Sequence, residues 1–164
     1  MTPAIRLAKK MKIQHTVHQY THDSRAESYG LEAAEKMGVE DSRVFKTLVV
    51  NLDDQCLAVA VIPVSMMLNM KLMAKASSAK KATMAQADDV ERSTGYVLGG
   101  VSPIAQKKRL NTIIDHSAER FDTIFVSAGR RGLEIELSPE NLKNLANGMF
   151  AELSAQELTI SPSE

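Results

Sequence analysis

The sequence predicts a single domain of mixed α/β class, and three observations support this prediction. The chain has 164 residues, an ordinary length for one domain. Hydrophobic residues make up 44% and charged residues 24% of the chain, so a folded core is expected rather than intrinsic disorder. Short segments typical of strands lie scattered among segments typical of helices, which favours a mixed arrangement over a regular series of βαβ units.

Helices are predicted where a capping residue precedes apolar residues at helical spacing. Thr2 followed by Pro3 combines a capping side chain with the residue best suited to the first helical position. Gly38 and Gly148 are typical of the residue that ends a helix. The predicted helices cover residues 2–11, 28–37, 69–76, 86–92 and 138–148.

Strands are predicted where β-branched and aromatic residues run between turn residues. The strongest signal is a hairpin of residues 44–52 and 56–62, joined by the turn Asp53-Asp54-Gln55. The other predicted strands cover residues 16–20, 81–84, 96–101, 112–115, 121–127 and 133–137. No linker divides the chain, so we expect one domain over residues 1–154 and a polar tail over residues 155–164.

The composition disfavours several classes of protein. The longest apolar run, residues 57–63, is far shorter than the ~20 residues of a membrane span, and the N-terminus carries no apolar stretch like that of a signal peptide. We therefore expect a cytoplasmic protein without membrane association. Cys56 is the only cysteine, so neither an internal disulfide nor a cysteine-based zinc site is expected, and a buried structural thiol is predicted. His18 and His22 would lie more than ~12 Å apart along a strand, too far to share one metal ion.

The net charge is zero, but the charges are unevenly distributed. Residues 71–109 hold eight basic and three acidic side chains, whereas residues 110–164 hold four and nine. A basic middle segment either contacts a polyanion or forms a solvated face, and charge alone leaves both interpretations open. The same two interpretations apply to the compact basic clusters. These clusters are Lys107-Lys108-Arg109 and Arg130-Arg131.

Lys46 occupies the most informative position in the chain. Alternate residues of a strand share a face, and Lys46 alternates with Val44, Leu48 and Val50. A lysine in such an apolar row either extends to solvent at the end of the strand or lies in the wall of a cavity. In a cavity its ammonium would be partly desolvated and would bind a carbonyl, carboxylate or phosphate oxygen strongly. The spacing alone leaves both alternatives open.

A glycine-containing loop is the second candidate site. Gly99 and Gly100, followed by Ser102 and Pro103, suit a tight loop whose backbone amides hold an oxyanion or an ester carbonyl, although a simple turn has the same pattern. The glycine spacing fits neither a phosphate loop nor a dinucleotide fingerprint. No Ser-His-Asp order, carboxylate pair or G-x-S-x-G elbow is evident. An enzyme with this sequence would therefore lack an evident nucleophile of its own.

Seven short segments, in order over about residues 1–150, together form a recognisable pattern. They are 1–4 (MTPA), 18–23 (HQYTHD), 45–49 (FKTLV), 93–96 (STGY), 99–103 (GGVSP), 106–109 (QKKR) and 131–133 (RGL). This pattern resembles that of the YbaK family, the Cys-tRNA(Pro) deacylases related to the editing domain inserted in bacterial prolyl-tRNA synthetases. Each segment alone is a weak signal, but seven in register are specific.

The resemblance implies a curved mixed β-sheet surrounded by helices, with a pocket for the 3′ aminoacyl end of a tRNA. It implies hydrolysis of cysteine wrongly attached to tRNA(Pro), with no metal or other cofactor. The implied catalytic residues are Lys46, on which activity depends most, and Gly99. The implied substrate-binding residues are Tyr20, Tyr29, Thr47, Gly100, Ser102, Pro103, Ser127 and Glu134. Together with the basic clusters, the resemblance predicts tRNA contacts at Lys107, Lys108, Arg109, Arg130 and Arg131.

This sequence departs from the family pattern at four of these positions or their neighbours. Tyr29 stands where the family commonly has Phe, and Glu134 where it has Asp. Both changes alter the volume or polarity of the pocket, so the reaction class transfers more directly than the amino-acid preference. Ala128 and Arg130 replace the usual Gly and Lys, which bears on the shape of their loop.

The lack of an enzyme nucleophile leads to a prediction about mechanism. A cysteinyl substrate carries its own thiol, whose attack on the cysteinyl carbonyl would give a cyclic thioester and release the tRNA. Such a reaction selects cysteine by chemistry rather than by size. The alternatives are a water-mediated deacylase of another mischarged tRNA, such as Ala-tRNA(Pro), and a non-catalytic module that binds tRNA or an aminoacyl ligand. Because a neutral chain neutralises few phosphates, we expect prolyl-tRNA synthetase to identify the tRNA in a transient complex.

Overall fold

The computed structural model describes residues 1–26 and 28–156. The helices of this part of the chain are α1 (Pro3–Lys10), α2 (Tyr29–Met37), α3 (Met70–Ala76), α4 (Ala87–Thr94) and α5 (Pro139–Ala146). The strands are β1 (His15–Gln19), β2 (Phe45–Leu52), β3 (Cys56–Pro63), β4 (Met66–Leu68), β5 (Ala82–Met84), β6 (Asn111–Asp115), β7 (Ile124–Arg130), β8 (Leu133–Leu137), β9 (Gly148–Ala151) and β10 (Ser154–Gln156). The predicted mixed α/β class is confirmed.

The large sheet has the strand order β5-β2-β3-β6-β9. Its first three strands are antiparallel, and β6 and β9 continue it in parallel. The predicted hairpin of β2 and β3 is confirmed, with Lys46 opposite Ile62 and Leu52 opposite Cys56. Its turn places Asp53 and Asp54 at positive φ, a conformation that Asp tolerates better than most residues.

The small sheet has the antiparallel order β1-β8-β7, and a parallel bridge between Val44 and Phe125 connects it to the start of β2. Strand β5 pairs only with residues 50–52 of β2. One edge of β2 therefore has no strand partner over residues 45–48 among the described residues, and this is where the candidate site lies.

The core consists of three clusters of buried side chains. The largest lies between the two sheets and is covered by α1, α4 and α5. The second packs α3 against the opposite face of the large sheet. The third holds α2 against Val44, Val64 and Phe125. A Cβ on Gly30 of α2 would lie 2.2 Å from Cγ1 of Val64, so this glycine permits the close approach.

Several sequence-based predictions of local structure are wrong. Residues 96–101 form a loop rather than a strand, because Tyr96 is anchored in the core by a hydrogen bond from its hydroxyl to the Ile104 carbonyl, while Val97 is 71% exposed. Gly148 begins β9, and Asn147 in the left-handed conformation ends α5 instead. Cys56 is exposed because it lies directly after the hairpin turn.

The end of the described chain is tied to the domain. Ser154–Gln156 pair with β4, and the buried Asp115 carboxylate accepts hydrogen bonds from the N–H groups of Leu153 and Ser154. Most of the predicted tail, residues 157–164, lies outside the described residues. Within the described part of the chain, no helix has the length and apolar character needed to cross a bilayer.

Candidate functional site

A cavity of about 440 Å³ lies beside the unpaired part of β2. Its walls are residues 45–49 of β2, the start of α2, the loop residues Leu98, Gly99 and Val101, and the paired strands β7 and β8. Because the cavity borders the edge of β2 rather than one face, consecutive residues of the strand line it. The polar side chains in its lining belong to Tyr20, Ser28, Tyr29, Lys46, Thr47, Ser127, Arg131 and Glu134.

The structure brings the two predicted catalytic residues to this cavity. Lys46 reaches it from β2, and Gly99 reaches it from the loop that follows α4. Phe45 and Val49, on either side of Lys46 along the strand, are buried in the largest core cluster. Lys46 is half-buried and therefore belongs to a cavity wall, one of the two alternatives that its spacing allows.

Five of the eight predicted substrate-binding residues also line the cavity, namely Tyr20, Tyr29, Thr47, Ser127 and Glu134. The other three do not. The hydroxyl of Ser102 is turned into the protein, where it accepts a hydrogen bond from the Ile104 N–H. Pro103 lines a separate cleft. Both residues shape the loop from behind rather than facing the cavity.

The two adjacent glycines differ in what their backbones do. The Gly100 N–H donates to the Val97 carbonyl at 2.9 Å, so it is already used within the loop. A Cβ at Gly100 would lie 2.6 Å from Cα of Arg130, which explains the need for glycine. Gly99 has φ +90°, and its N–H donates no hydrogen bond to any described residue. Of the two amides, that of Gly99 is the one available to an oxyanion.

Glu134 is a carboxyl group in an apolar setting. It is 6% exposed and lies opposite Ser127 in the pairing of β8 with β7. Burial raises the pKa of Glu134 to about 8, so this side chain is mainly protonated at neutral pH. The pKa of Tyr20 rises to about 12, first because the phenol is buried and then because Glu134 and Glu32 oppose a negative charge there. The cavity therefore contains a neutral acid and a neutral phenol together with the Lys46 side chain.

A polar network fixes the start of α2, which carries Tyr29. The nearly buried carboxylate of Glu32 lies 2.7 Å from Nδ1 of His22 and accepts a hydrogen bond from the Asp23 N–H. Burial by itself would raise the pKa of Glu32, but these hydrogen bonds and the nearby Lys36 ammonium hold it below its usual value. The His22 ring in turn makes an edge contact with Tyr29, with ring centroids 5.6 Å apart.

The five predicted tRNA-binding residues fall into separate places. The N–H groups of Lys107 and Lys108 cap the last carbonyls of α4, and both side chains line a cleft of about 240 Å³ together with Arg109. Arg130 is exposed beside Gly100, outside the lining of the cavity. Arg131 is the member of the set that lines the cavity.

Sequence reasoning missed a part of the wall that has weak local signals. Ser28 and Gly30 line the cavity at the start of α2, and Leu98 lines it from the loop. Ser28 is recognisable only as a helix cap, because its hydroxyl accepts a hydrogen bond from the Leu31 N–H. Thr47 lies in the pocket, as the resemblance implies. The sequence does not predict that its hydroxyl is buried and has no hydrogen-bond partner in the described structure. No group of three or more possible metal ligands occurs in residues 1–26 and 28–156.

The raised pKa of Glu134 predicts a pH dependence of stability. Between its usual value of 4.5 and about 8, the folded protein binds this proton more strongly than the unfolded chain does, so the unfolding free energy falls as pH rises through this range. Glu134→Gln keeps the shape and removes the titration. We expect the unfolding free energy of the variant minus that of the wild type to be larger at pH 8 than at pH 5. Urea denaturation at each pH measures this difference.

The matched control is Glu152→Gln, which changes an exposed glutamate. Its difference from the wild type should be small and nearly the same at pH 5, 6.5 and 8. A stability difference between Glu134→Gln and the wild type that does not change over this range would contradict a neutral, buried Glu134.

The chain matches known proteins over most of its length. The model of the aminoacyl-tRNA editing domain family matches residues 26–145. A protein of Enterococcus faecalis named "Putative Cys-tRNA(Pro)/Cys-tRNA(Cys) deacylase EbsC" is 40% identical over 159 residues, which are 95% of this chain and 94% of that protein.

Solved structures share the fold. The crystal structure of a hypothetical protein superimposes with a TM-score of 0.83 at 25% identity, covering 93% of this chain and 99% of the other. The crystal structure of "a putative trans-editing enzyme for prolyl tRNA synthetase" superimposes with a TM-score of 0.79 at 18% identity, covering 93% and 97%. These matches confirm the resemblance that the seven sequence segments indicate. The chain belongs to the aminoacyl-tRNA editing domain family.

Proposed function

We propose that the protein is a trans-editing hydrolase that removes cysteine from mischarged Cys-tRNA(Pro). The observation that carries the proposal is the cavity that both Lys46 and Gly99 line, in a chain of the aminoacyl-tRNA editing family. The 40% identical relative named for deacylation of Cys-tRNA supports cysteine as the amino acid. Because charged tRNA is the substrate, the proposal includes a cytoplasmic location.

Cleavage of the aminoacyl ester needs stabilisation of the oxygen that becomes negative and protonation of the ribose oxygen that leaves. In the proposed site, the Lys46 ammonium and the Gly99 N–H bind the carbonyl oxygen as it gains charge. Both act in a largely apolar cavity, where such interactions are stronger than in water.

The nucleophile comes from the substrate in this proposal. No histidine or cysteine is found among the described residues that line the cavity, so neither a Ser–His nor a Cys–His pair is formed there. The cysteinyl sulfur attacks its own carbonyl carbon, a C–S bond forms, and the C–O bond to the ribose breaks. The thiol proton ends on the ribose oxygen. The products are a cyclic thioester, which water opens to cysteine, and a tRNA with a free 3′ end.

This mechanism accounts for discrimination against smaller amino acids. A cavity of about 440 Å³ cannot exclude alanine by size, and an apolar pocket gains only ~1–3 kcal/mol from each additional methylene-sized group. Alanine lacks the attacking atom, so its ester would bind without being cleaved. Water-mediated cleavage of Ala-tRNA(Pro) is the alternative that the experiments below separate.

Lys46→Ala should lower the rate of Cys-tRNA(Pro) deacylation by at least about 100-fold, because the oxyanion loses its main positive charge. The rate is measured with tRNA labelled at its 3′ end, and retention of the fold is checked by circular dichroism and thermal unfolding. Lys75→Ala, which removes an exposed lysine of α3 outside the cavity, is the control and should retain the wild-type rate. Binding of Cys-tRNA(Pro) without turnover by the wild type would instead support a non-catalytic module.

Product analysis tests the identity of the nucleophile. If the substrate thiol attacks, Cys-tRNA(Pro) should yield a cyclic thioester that hydroxylamine or an added amine traps before it hydrolyses. Ala-tRNA(Pro) and Pro-tRNA(Pro) should be cleaved at the background rate. Free cysteine without a trappable thioester, or equal turnover of Ala-tRNA(Pro), would contradict this mechanism.

A partner completes the proposal, because the chain itself has little means of selecting a tRNA. Its net charge is zero, and its basic clusters occupy different parts of the surface. Side chains at Lys107–Arg109 and Arg130 then supply only a few phosphate contacts, too few for tight binding by charge alone. We infer that prolyl-tRNA synthetase identifies tRNA(Pro) in a transient complex with this protein.

Addition of catalytic amounts of prolyl-tRNA synthetase should therefore raise the deacylation of Cys-tRNA(Pro) relative to that of Cys-tRNA(Cys). The isolated protein should cleave both substrates at rates within a few-fold of each other, measured side by side at one salt concentration. Strong preference of the isolated protein for tRNA(Pro) would contradict the need for a partner. A synthetase of another amino acid serves as the control.

A further inference from the structure

Arg131 makes contacts with two different walls of the cavity. Its guanidinium carbon lies 3.9 Å from the centre of the Tyr29 ring, at the start of α2. Its Nη2 donates to the Leu98 carbonyl at 3.4 Å. A Cβ at Gly99 would lie 2.3 Å from Nε of the same side chain. The guanidinium therefore fills the space between the Tyr29 ring and the loop that presents the Gly99 amide.

The residues at both ends of this contact are held by other parts of the fold. Tyr29 belongs to α2, whose first turn is fixed by Glu32 through His22 and the Asp23 N–H. On the other side, the Leu98 N–H donates to the carboxylate of Glu91 on α4. Arg131 itself follows β7 directly and precedes β8. Three separate elements thus meet at one side chain.

The chemistry of arginine suits this place. A planar guanidinium stacks its face on an aromatic ring and donates hydrogen bonds from its edge, whereas the compact ammonium of lysine cannot do both. The loop needs such support because the apolar side chains of Val97 and Leu98 are 71% and 42% exposed and so contribute little packing to the core. Glycine at position 99 leaves the room that the guanidinium occupies.

We propose that Arg131 is a positioning residue, which clamps the loop at Gly99 against Tyr29 and so sets the place of the Gly99 amide in the cavity. This differs from the sequence-based expectation that Arg131 contacts tRNA phosphates. The effect on catalysis rests on the proposed deacylase function, but the effect on the loop does not. A shift of the Gly99 amide by about 1 Å would lower the rate while leaving the binding of the tRNA body unchanged.

The test compares Arg131→Ala, Arg131→Lys, Tyr29→Leu and Tyr29→Phe. Arg120→Ala is the matched control, because Arg120 is an exposed arginine whose guanidinium carbon lies 5.6 Å from the ring of Phe121, away from the cavity. Steady-state kinetics are measured on Cys-tRNA(Pro) over a range of salt concentrations. A second substrate, the cysteinyl ester of adenosine, carries no phosphate.

We expect Arg131→Ala to lower kcat by ~10- to 100-fold, with KM and its salt dependence nearly unchanged. The same fold loss should occur with the adenosine ester. Arg131→Lys should not restore the rate, Tyr29→Leu should lose as much as Arg131→Ala, and Tyr29→Phe should lose less than Tyr29→Leu because it keeps the ring. The losses of Arg131→Ala and Tyr29→Leu should not add in the double variant. Arg120→Ala should match the wild type.

A rise in KM with a weaker salt dependence, confined to the tRNA substrate, would overturn the proposal in favour of a phosphate contact. The position of the loop is also followed without any substrate, by the amide resonances of Gly99 and Gly100 in nuclear magnetic resonance spectra. These should shift or broaden in Arg131→Ala and Tyr29→Leu but not in Arg120→Ala. Unchanged resonances in Arg131→Ala would refute the clamp, whereas shifted resonances in a protein that deacylates nothing would refute only the proposed function.

Discussion

The candidate site depends on one edge of β2, which has no strand partner over residues 45–48 within the described part of the chain. Strand β5 pairs only with residues 50–52, and the bridge between Val44 and Phe125 begins the small sheet at the other end. The stretch between them would leave backbone groups and side chains of an edge strand exposed, and the fold covers it with α2 and the loop at Gly99 instead of another strand. The space that remains is the cavity. Ser127 lies two residues beyond Phe125, as Lys46 lies two residues beyond Val44, so the bridge also brings these side chains to the same end of the junction.

Sequence predicts those parts of the fold that local chemistry determines. The side chains of Thr2, Ser28, Asn69 and Ser138 each accept a hydrogen bond from the first turn of a helix, as capping residues should. The β2–β3 hairpin is equally local, since its turn lies between two apolar runs. The failures arise where distant residues decide. Strands β9 and β10 are short and form by pairing with β6 and β4, and residues 96–101 look like a strand but find no partner strand in the described structure.

The same division holds for the site. The alternation of residues along β2 identifies Lys46 as unusual, and the glycine pair identifies the loop. Neither pattern shows how close Lys46 and the loop lie to each other in the fold. The sequence could not show that the Gly100 N–H is used inside the loop or that Ser102 turns into the core. It also placed Arg131 beside Arg130 as one basic pair. The fold separates them, since Arg130 is exposed beside Gly100 whereas Arg131 lines the cavity and contacts Tyr29.

The protonation state of Glu134 decides how the charge of Lys46 can be used. An ionised carboxylate in the same cavity would attract the ammonium and would also repel the oxygen that becomes negative during ester cleavage. Burial raises the pKa of Glu134 to about 8 and so keeps the group neutral at physiological pH, with a proton to donate. The neutral Tyr20 phenol adds no opposing charge. A neutral Glu134 therefore does not repel the oxygen that becomes negative, so in the proposed reaction the substrate's own thiol attacks the carbonyl without an opposing charge from this carboxyl group.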